Sequence, residues 1–293
     1  MHNKIQDRTY LAPSPKKKRE HLREHRAFSN VSLILMKKYV LALLLAALST
    51  SAANAQGSLA PPQPPRPKVV VFYSVGVEYD HLLFAQQALQ FFAANAAKDK
   101  YTFIATTDWD QLNADYLKDV KIMVWLDDEV HTPAQRTAFQ QYMEHGGTWL
   151  GFHVSAYNDR NSQWTWFRSF LGGGAFGMNN WPPLPAKIVV DDTSHPVTKR
   201  LPPTFEAPSN EWYSWTPSPR LNPDVKVLLS LDKSNFPIGI KDVIMPTDVP
   251  IVWTNTKYKM LYMNIGHGDK IFTSDIQQNL IEDGLLWLLN RQQ

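Results

Sequence analysis

Between residues 68 and 160 the chain alternates between two hydrophobic patterns. "KVVVFYSV", "YTFIATT", "KIMVWLDD" and "TWLGFH" are short apolar runs rich in β-branched and aromatic residues, and each reads as a buried strand. "LLFAQQALQFFAANAA" places apolar residues at helical spacing, and "DQLNADYLKDV" reads as a short helix or loop. "TPAQRTAFQQYMEHGG" carries its own punctuation: Thr132 caps the helix, Pro133 sits in its first turn, and Gly146 and Gly147 end it. Strands alternating with helices predict a parallel sheet covered on both faces. In such sheets ligands bind beyond the carboxyl ends of the strands. The segments expected there are "GVEYDH", "TTDWD", "DDEVH" and "FHVSAYND".

Past residue 160 the alternation loosens. "NSQWTWFRSFLGGG" predicts a helix running into a glycine turn, and "AKIVVDD" and "VKVLLSL" predict strands joined by a long irregular segment. "VPIVWTN" and "KMLYMNIGHGD" predict an antiparallel pair across "TKYK", and "SDIQQNLIEDGLLWLLNR" a closing amphipathic helix. The expected fold class is α/β, three layers, a mostly parallel sheet flanked by helices, with added antiparallel strands.

The N-terminus follows none of this. From Met36, "MKKYVLALLLAALSTSAANAQ" has a basic start at Lys37 and Lys38, an apolar core from Val40 to Leu48, and the small-residue site Ala53-Asn54-Ala55. This is the layout of a cleavable secretory signal, with cleavage expected after Ala55. It predicts a periplasmic or secreted protein with no membrane anchor after cleavage. Residues 1–35 are basic and patternless, and are expected to be a disordered, over-extended start; residues 56–67 read as a proline-rich linker. One domain is then expected over residues 68–293.

Removing the leader changes the charge argument. Residues 1–55 contain ten Lys or Arg against three Asp or Glu, a net of +7. The whole chain is +3, so the remainder is 3 − 7 = −4. An acidic remainder gives a nucleic-acid partner no electrostatic basis. The absence of cysteine removes disulfides, thiolate metal sites and cysteine nucleophiles. No dinucleotide fingerprint follows the first strand, so no nucleotide cofactor is expected; G-x-S-x-G and H-E-x-x-H are absent too.

Six histidines lie beyond the leader. His131 and His145 flank a helix and read as surface residues. His81, His153, His195 and His267 all fall in loops or at strand ends. His81 opens the first helix and reads either as a site residue or as one packed near Tyr79. His195 precedes Pro196 in a turn. His267 lies between two glycines, which admit close approach of a ligand. His153 occupies the turn where many α/β enzymes present a Ser or Cys nucleophile.

Glu211, amid Trp212, Tyr213 and Trp215, reads as a base, a metal ligand or a polar anchor. Asp80, Asp108 and Asp110 are weaker candidates, and Asp127, Asp128 and Glu129 read as a solvated charge run. Trp164, Trp166, Trp181, Trp212 and Trp215 could fill core or cover the flat C–H faces of a sugar. The histidines have no short zinc spacing, so a divalent metal such as zinc would need a site assembled by the fold.

Taken in order, "YDH", "TPAQRTAFQQYMEHGGTWLGFH", "FLGGGAF", "SHPVT", "NEWYSW", "MLYMNIGHGD" and "IEDGLLWLL" resemble the ThuA-like family, named for trehalose utilisation, across nearly all of residues 68–293. The resemblance implies a class I glutamine amidotransferase-like fold, related in layout to flavodoxin, with His153 where that fold carries its cysteine. Glutaminase chemistry is thereby lost. It also implies a small carbohydrate as partner, and hydrolysis or isomerisation of a glycoside or keto-glycoside. By motif match His153, His267 and Glu211 would be catalytic, and His153, His195, Glu211 and His267 would be metal-binding. Substrate contacts would fall to His81, Asn179, Trp181, Trp212 and Trp215. Many relatives read "GGxFxxH" where this chain has "GGAFGMN", which places Asn179 at the histidine position and moves weight toward sugar binding without catalysis. A homo-oligomer is left open.

Overall fold

The computed structural model describes residues 65–291. The signal sequence, the extended start and most of the proline-rich linker lie outside the described residues. Eleven strands and five α-helices follow in order. The first half is β1 (Lys68–Tyr73), α1 (Tyr79–Asn95), β2 (Thr102–Thr106), α2 (Ala114–Leu117), β3 (Val120–Leu126), α3 (Pro133–Glu144), β4 (Thr148–Phe152) and α4 (Thr165–Phe170). The second half is β5 (Ala175–Asn179), β6 (Leu184–Val190), β7 (Thr204–Asn210), β8 (Tyr213–Thr216), β9 (Val225–Leu231), β10 (Pro250–Asn255), β11 (Lys259–Met263) and α5 (Asp275–Leu288).

Nine strands form one sheet in the order β2-β1-β3-β4-β11-β10-β9-β6-β7, and β5 pairs with β8 in a separate two-stranded sheet. The first five are parallel, with registers such as Val70↔Ile104, Val71↔Val124 and Leu261↔Leu150. From β11 onward neighbours are antiparallel. The change occurs where only a short turn joins β10 to β11, which allows antiparallel pairing alone. The expected α/β sheet with added antiparallel strands is therefore present.

The helices divide between the two faces. On one, Phe84 and Phe92 of α1 and Leu280 and Leu285 of α5 pack on Val71, Val124 and Leu261. On the other, Phe139 of α3 and Phe167 and Phe170 of α4 close over Trp125 and Trp149. Strands buried on both sides explain the continuous apolar runs of β1, β3 and β4. The signals that start α3 act as read: the Thr132 hydroxyl accepts from the Gln135 amide at 3.2 Å, and the Gln135 side chain accepts from the Thr132 amide at 3.1 Å. The consequence for the site is alignment. β1, β3, β4 and β11 run the same way and deliver their following residues to one edge.

Candidate functional site

Four strand ends and one connection meet at that edge. β1 leads into Glu78, Asp80 and His81, β3 into Asp127, β4 into His153 and β11 into Asn264, Gly266 and His267. The end of β7 supplies Asn210, and the link from it to β8 supplies Glu211. The rings of His81, His153 and His267 form a triangle with centroids 5.2, 5.2 and 5.6 Å apart.

The turn after β4 is the sharp one. His153 has φ +48° and opens a 3-10 turn over His153–Ala156. This left-handed conformation is uncommon outside glycine, although histidine and aspartate enter it more readily than most residues, and it clusters at functional turns. Asp127 repeats it at the end of β3 with φ +50°. Gly266 makes the close packing there feasible: a Cβ on it would lie 2.4 Å from His153 Cβ and 2.7 Å from Asp127 Oδ1.

Hydrogen bonds fix His153 from three sides. Its Nδ1 lies 3.0 Å from the Asn264 carbonyl, which can only accept, so Nδ1 carries the proton. Nε2 then holds the lone pair and accepts from the Tyr213 hydroxyl at 2.9 Å. The His153 carbonyl accepts from the Tyr262 hydroxyl at 3.0 Å. Two buried amides lace the loops together. Asn210 accepts through Oδ1 from the amides of Gly266 and His267, and donates through Nδ2 to the carbonyls of Glu211 and Asn264. The Asn264 side chain accepts from the Tyr213 amide at 2.9 Å.

The other two imidazoles are different. His81 Nε2 and both ring nitrogens of His267 are buried without a hydrogen-bond partner. They face carboxylates at distances too long for hydrogen bonds: Glu78 Oε2 lies 3.4 Å from His267 Nε2 and 3.5 Å from His81 Nε2, and Glu211 Oε2 lies 3.7 Å from His267 Nε2 and 3.6 Å from His153 Nε2. Asp80 Oδ2 stands 3.8 Å from His267 Nδ1. The other Glu211 oxygen accepts from Asn179 Nδ2 at 2.9 Å.

Burial sets the charge states. It pulls the His81 imidazole down to about 3, helped by His153 and His267. His153 is held well below its ordinary value by burial and then by His267. Glu211 is raised by burial, against the pull of His267 and His81 and the Asn179 hydrogen bond. Asp127 is raised well above the carboxylate range by complete burial and by Asp128, Glu78 and Glu211. Its two oxygens have no partner. His81 and His153 are therefore neutral at pH 7 and carry one ring lone pair each, that of His153 already accepting from Tyr213.

The donors sort into two sets, Glu78–His81–His267 and His81–His153–Glu211, each with its ligand atoms within 4.8 Å of one another. Ligands at about 2.1 Å from a shared tetrahedral ion lie roughly 3.4 Å apart, which is the spacing that Glu78 makes with the two histidines.

The fold thus gathers His81, His153, His267, Glu211 and Asn179 from the sequence-derived candidates. Trp181 is close, its ring centroid 6.5 Å from that of His267, and it is 37% exposed. His195 is not in the cluster. It packs edge-on to Trp287 at 5.1 Å and lines a separate cavity with Lys226 and Lys259. Trp212 and Trp215 are buried, and Trp212 Nε1 donates to the Leu184 carbonyl at 2.9 Å, so neither ring is open to a sugar. Trp164 is core as well. His131 and His145 are exposed, as their positions implied. The Asp127–Glu129 run is not solvated, because the β3 end carries it inward: Asp127 is buried, and Asp128 accepts from the Ser74 hydroxyl.

Reading the sequence for chemistry missed Glu78, Tyr213, Asn210, Asn264 and Asp127 as site residues. Glu78 stood in the quoted segment "GVEYDH", Asn210 and Tyr213 in "NEWYSW", and Asn264 in "MLYMNIGHGD". Nothing in the sequence said that a buried amide would brace the last two segments.

Comparison with known proteins agrees with this architecture. The ThuA family, described as trehalose utilisation, matches residues 68–288. A crystal structure of a protein described as ThuA-like from Bacteroides uniformis is 46% identical over 80% of this chain and 96% of that one, with a TM-score of 0.76. A second protein so described, from Parabacteroides merdae, is 15% identical, covers 78% of this chain and 91% of that one, and has a TM-score of 0.57, which speaks for the fold alone. No curated protein matches. With the family match spanning the sheet and every strand end that builds the site, the chain belongs to the ThuA family.

Proposed function

We propose that this protein is a carbohydrate-active enzyme whose centre holds a divalent cation through Glu78, His81 and His267. The carrying observation is the pair of 3.4 and 3.5 Å separations from Glu78 Oε2 to two imidazole nitrogens, His267 Nε2 and His81 Nε2, that are buried and lack partners. Buried nitrogens left unpaired cost free energy unless a ligand satisfies them. Two histidines and one carboxylate with open positions suit zinc or a similar ion. When bound, such an ion polarises a sugar oxygen as a Lewis acid.

The remaining residues divide the work. Glu211 has one oxygen pinned by Asn179 and the other turned to the cluster, and it is the group that moves a proton on the sugar. Asn179 fills the position where the family resemblance implies a histidine in many relatives, and its amide still holds Glu211. His153 is a pillar rather than a ligand, because its one lone pair is taken by Tyr213. Trp181 offers its exposed ring to the C–H face of the sugar. The reaction fitting this set is hydrolysis or isomerisation of a glycoside or keto-glycoside, in a protein exported by the signal at residues 36–55.

Elemental mass spectrometry on purified protein tests the centre. The expected result is near-stoichiometric divalent metal, lost in the His81→Ala/His267→Ala double variant and retained in His153→Ala. Absence of metal after reconstitution, or equal retention in the double variant, would overturn the metal centre. Saturable sugar binding with no turnover would convert the reading to a carbohydrate-binding protein.

A further inference from the structure

Among the described residues eight large hydrophobic side chains are exposed, and five of them, Val75, Tyr79, Tyr157, Trp181 and Ile240, lie on segments that carry site residues or bond to those segments. Val75 at 66% and Tyr79 at 70% exposure lie between β1 and the first turn of α1. Tyr79 sits between Glu78 and Asp80, whose carboxylates both reach toward His267. Tyr157 follows the His153 turn and connects to it through rings: Tyr157 to Phe176 at 5.0 Å, Phe176 to Tyr213 at 4.9 Å, Tyr213 to His153 at 4.3 Å. Ile240, 75% exposed, donates its amide to the Trp181 carbonyl at 2.8 Å.

Single exposed hydrophobics are ordinary on a protein surface, but a cluster bordering a polar site marks a binding surface. A sugar covers only Trp181 of this apolar apron with its C–H face; its hydroxyls need polar partners and leave the other side chains unused. Glu78 and Asp80, 50% and 37% exposed, make the same mouth acidic and disfavour an anionic substituent.

We propose that the site takes glycosides whose non-sugar part is neutral and aromatic or otherwise apolar, with the sugar on the histidine cluster and the aglycone on this apron. The proposal rests on the carbohydrate reading above and adds the identity of the group that the sugar carries.

The test is isothermal titration of the purified protein with 4-nitrophenyl and methyl glycosides in matched pairs, both anomers of glucose and galactose. The aryl member of the binding pair should be at least tenfold tighter, about 1.4 kcal/mol. The Tyr79→Ala/Ile240→Ala double variant, which leaves the cluster and Trp181 in place, should bring the aryl affinity down to that of the methyl partner and leave the methyl affinity unchanged. Equal affinities in the parent, or an aryl preference that survives the double variant, would overturn the proposal while leaving the carbohydrate reading intact. Binding of neither member of any pair would sink both. Sedimentation of the same two proteins closes the remaining route: a dimer that dissociates in the double variant assigns the apron to a second copy and overturns the aglycone.

Discussion

Gly266→Ala isolates the packing that holds the site together. The new methyl would meet His153 Cβ at 2.4 Å and Asp127 Oδ1 at 2.7 Å, against about 3.5–4.0 Å for relaxed contact. An overlap near 1 Å must be relieved by movement. His153 Cβ is not the tip of a flexible chain, and Asp127 Oδ1, though a side-chain end, belongs to a short carboxyl that is fully buried. His153 Cβ belongs to a residue at φ +48° whose carbonyl and both ring nitrogens are hydrogen-bonded, and Asp127 is at φ +50°. Overpacking of this kind costs roughly 1–3 kcal/mol, and freeing one of the buried His153 hydrogen bonds adds about 1–3 kcal/mol. The expected destabilisation is then about 2–6 kcal/mol, or roughly 4–24 °C in Tm for a domain of this size.

Gly268→Ala is the control. Nothing stands within 4 Å of its added methyl, but its φ is +83°, so it pays only backbone strain of about 1–2 kcal/mol. The assay is guanidinium unfolding of the parent and both variants, with histidine NMR to follow the His153 tautomer. Gly266→Ala should be the more costly and should disturb His153. A change within about 0.5 kcal/mol of the parent, or a smaller loss than Gly268→Ala, would refute the close-packing argument.

Two further outcomes follow from the hydrogen bonds and burial. In Tyr213→Phe the lone pair of His153 loses its donor, so the metal-free protein should lose about 1–3 kcal/mol; the freed nitrogen should then join the ion, and the thermal shift on adding zinc should exceed the parent's. An unchanged or smaller shift would contradict the pillar role of His153. His195 carries a pH signature, since burial, then Lys226, with Lys259 behind it, pull its imidazole down to about 4 against the favourable pull of Asp192. Between pH 6.5 and 4 the unfolded chain takes up a proton that the folded chain refuses, so this contribution is present above pH 6.5 and lost on acidification through that window. Unfolding free energies at pH 7, 5.5 and 4.5 should fall less steeply in His195→Gln than in the parent; identical slopes would reject the assignment.

How far the sequence reached is visible residue by residue. The strands of the parallel half were legible because burial on both faces leaves uninterrupted apolar runs, and α3 because its cap, proline and terminal glycines are local signals. The site was half legible. His153 and His267 declared themselves by ending apolar strands. Glu78 did not, since a lone glutamate in a loop has the same local signature as any solvated charge. The tryptophans misled for a related reason: composition counts aromatic rings but does not say which face inward, and Trp212 and Trp215 turned out to be core while Trp181 stayed open.

The sequence by itself determined the alternation of elements, the family, and therefore the sheet edge at which chemistry would gather, because hydrophobic period and capping are properties of neighbours along the chain. Only the tertiary structure decided which groups meet. Glu78, His81 and His267 are brought within 4.8 Å from segments almost two hundred residues apart, while His195, equally promising as a residue, was left with Trp287. The physical reason is that ligand spacing is set by strand register and loop bracing. Asn210, Asn264 and Gly266 fix these by contacts that have no periodicity to read.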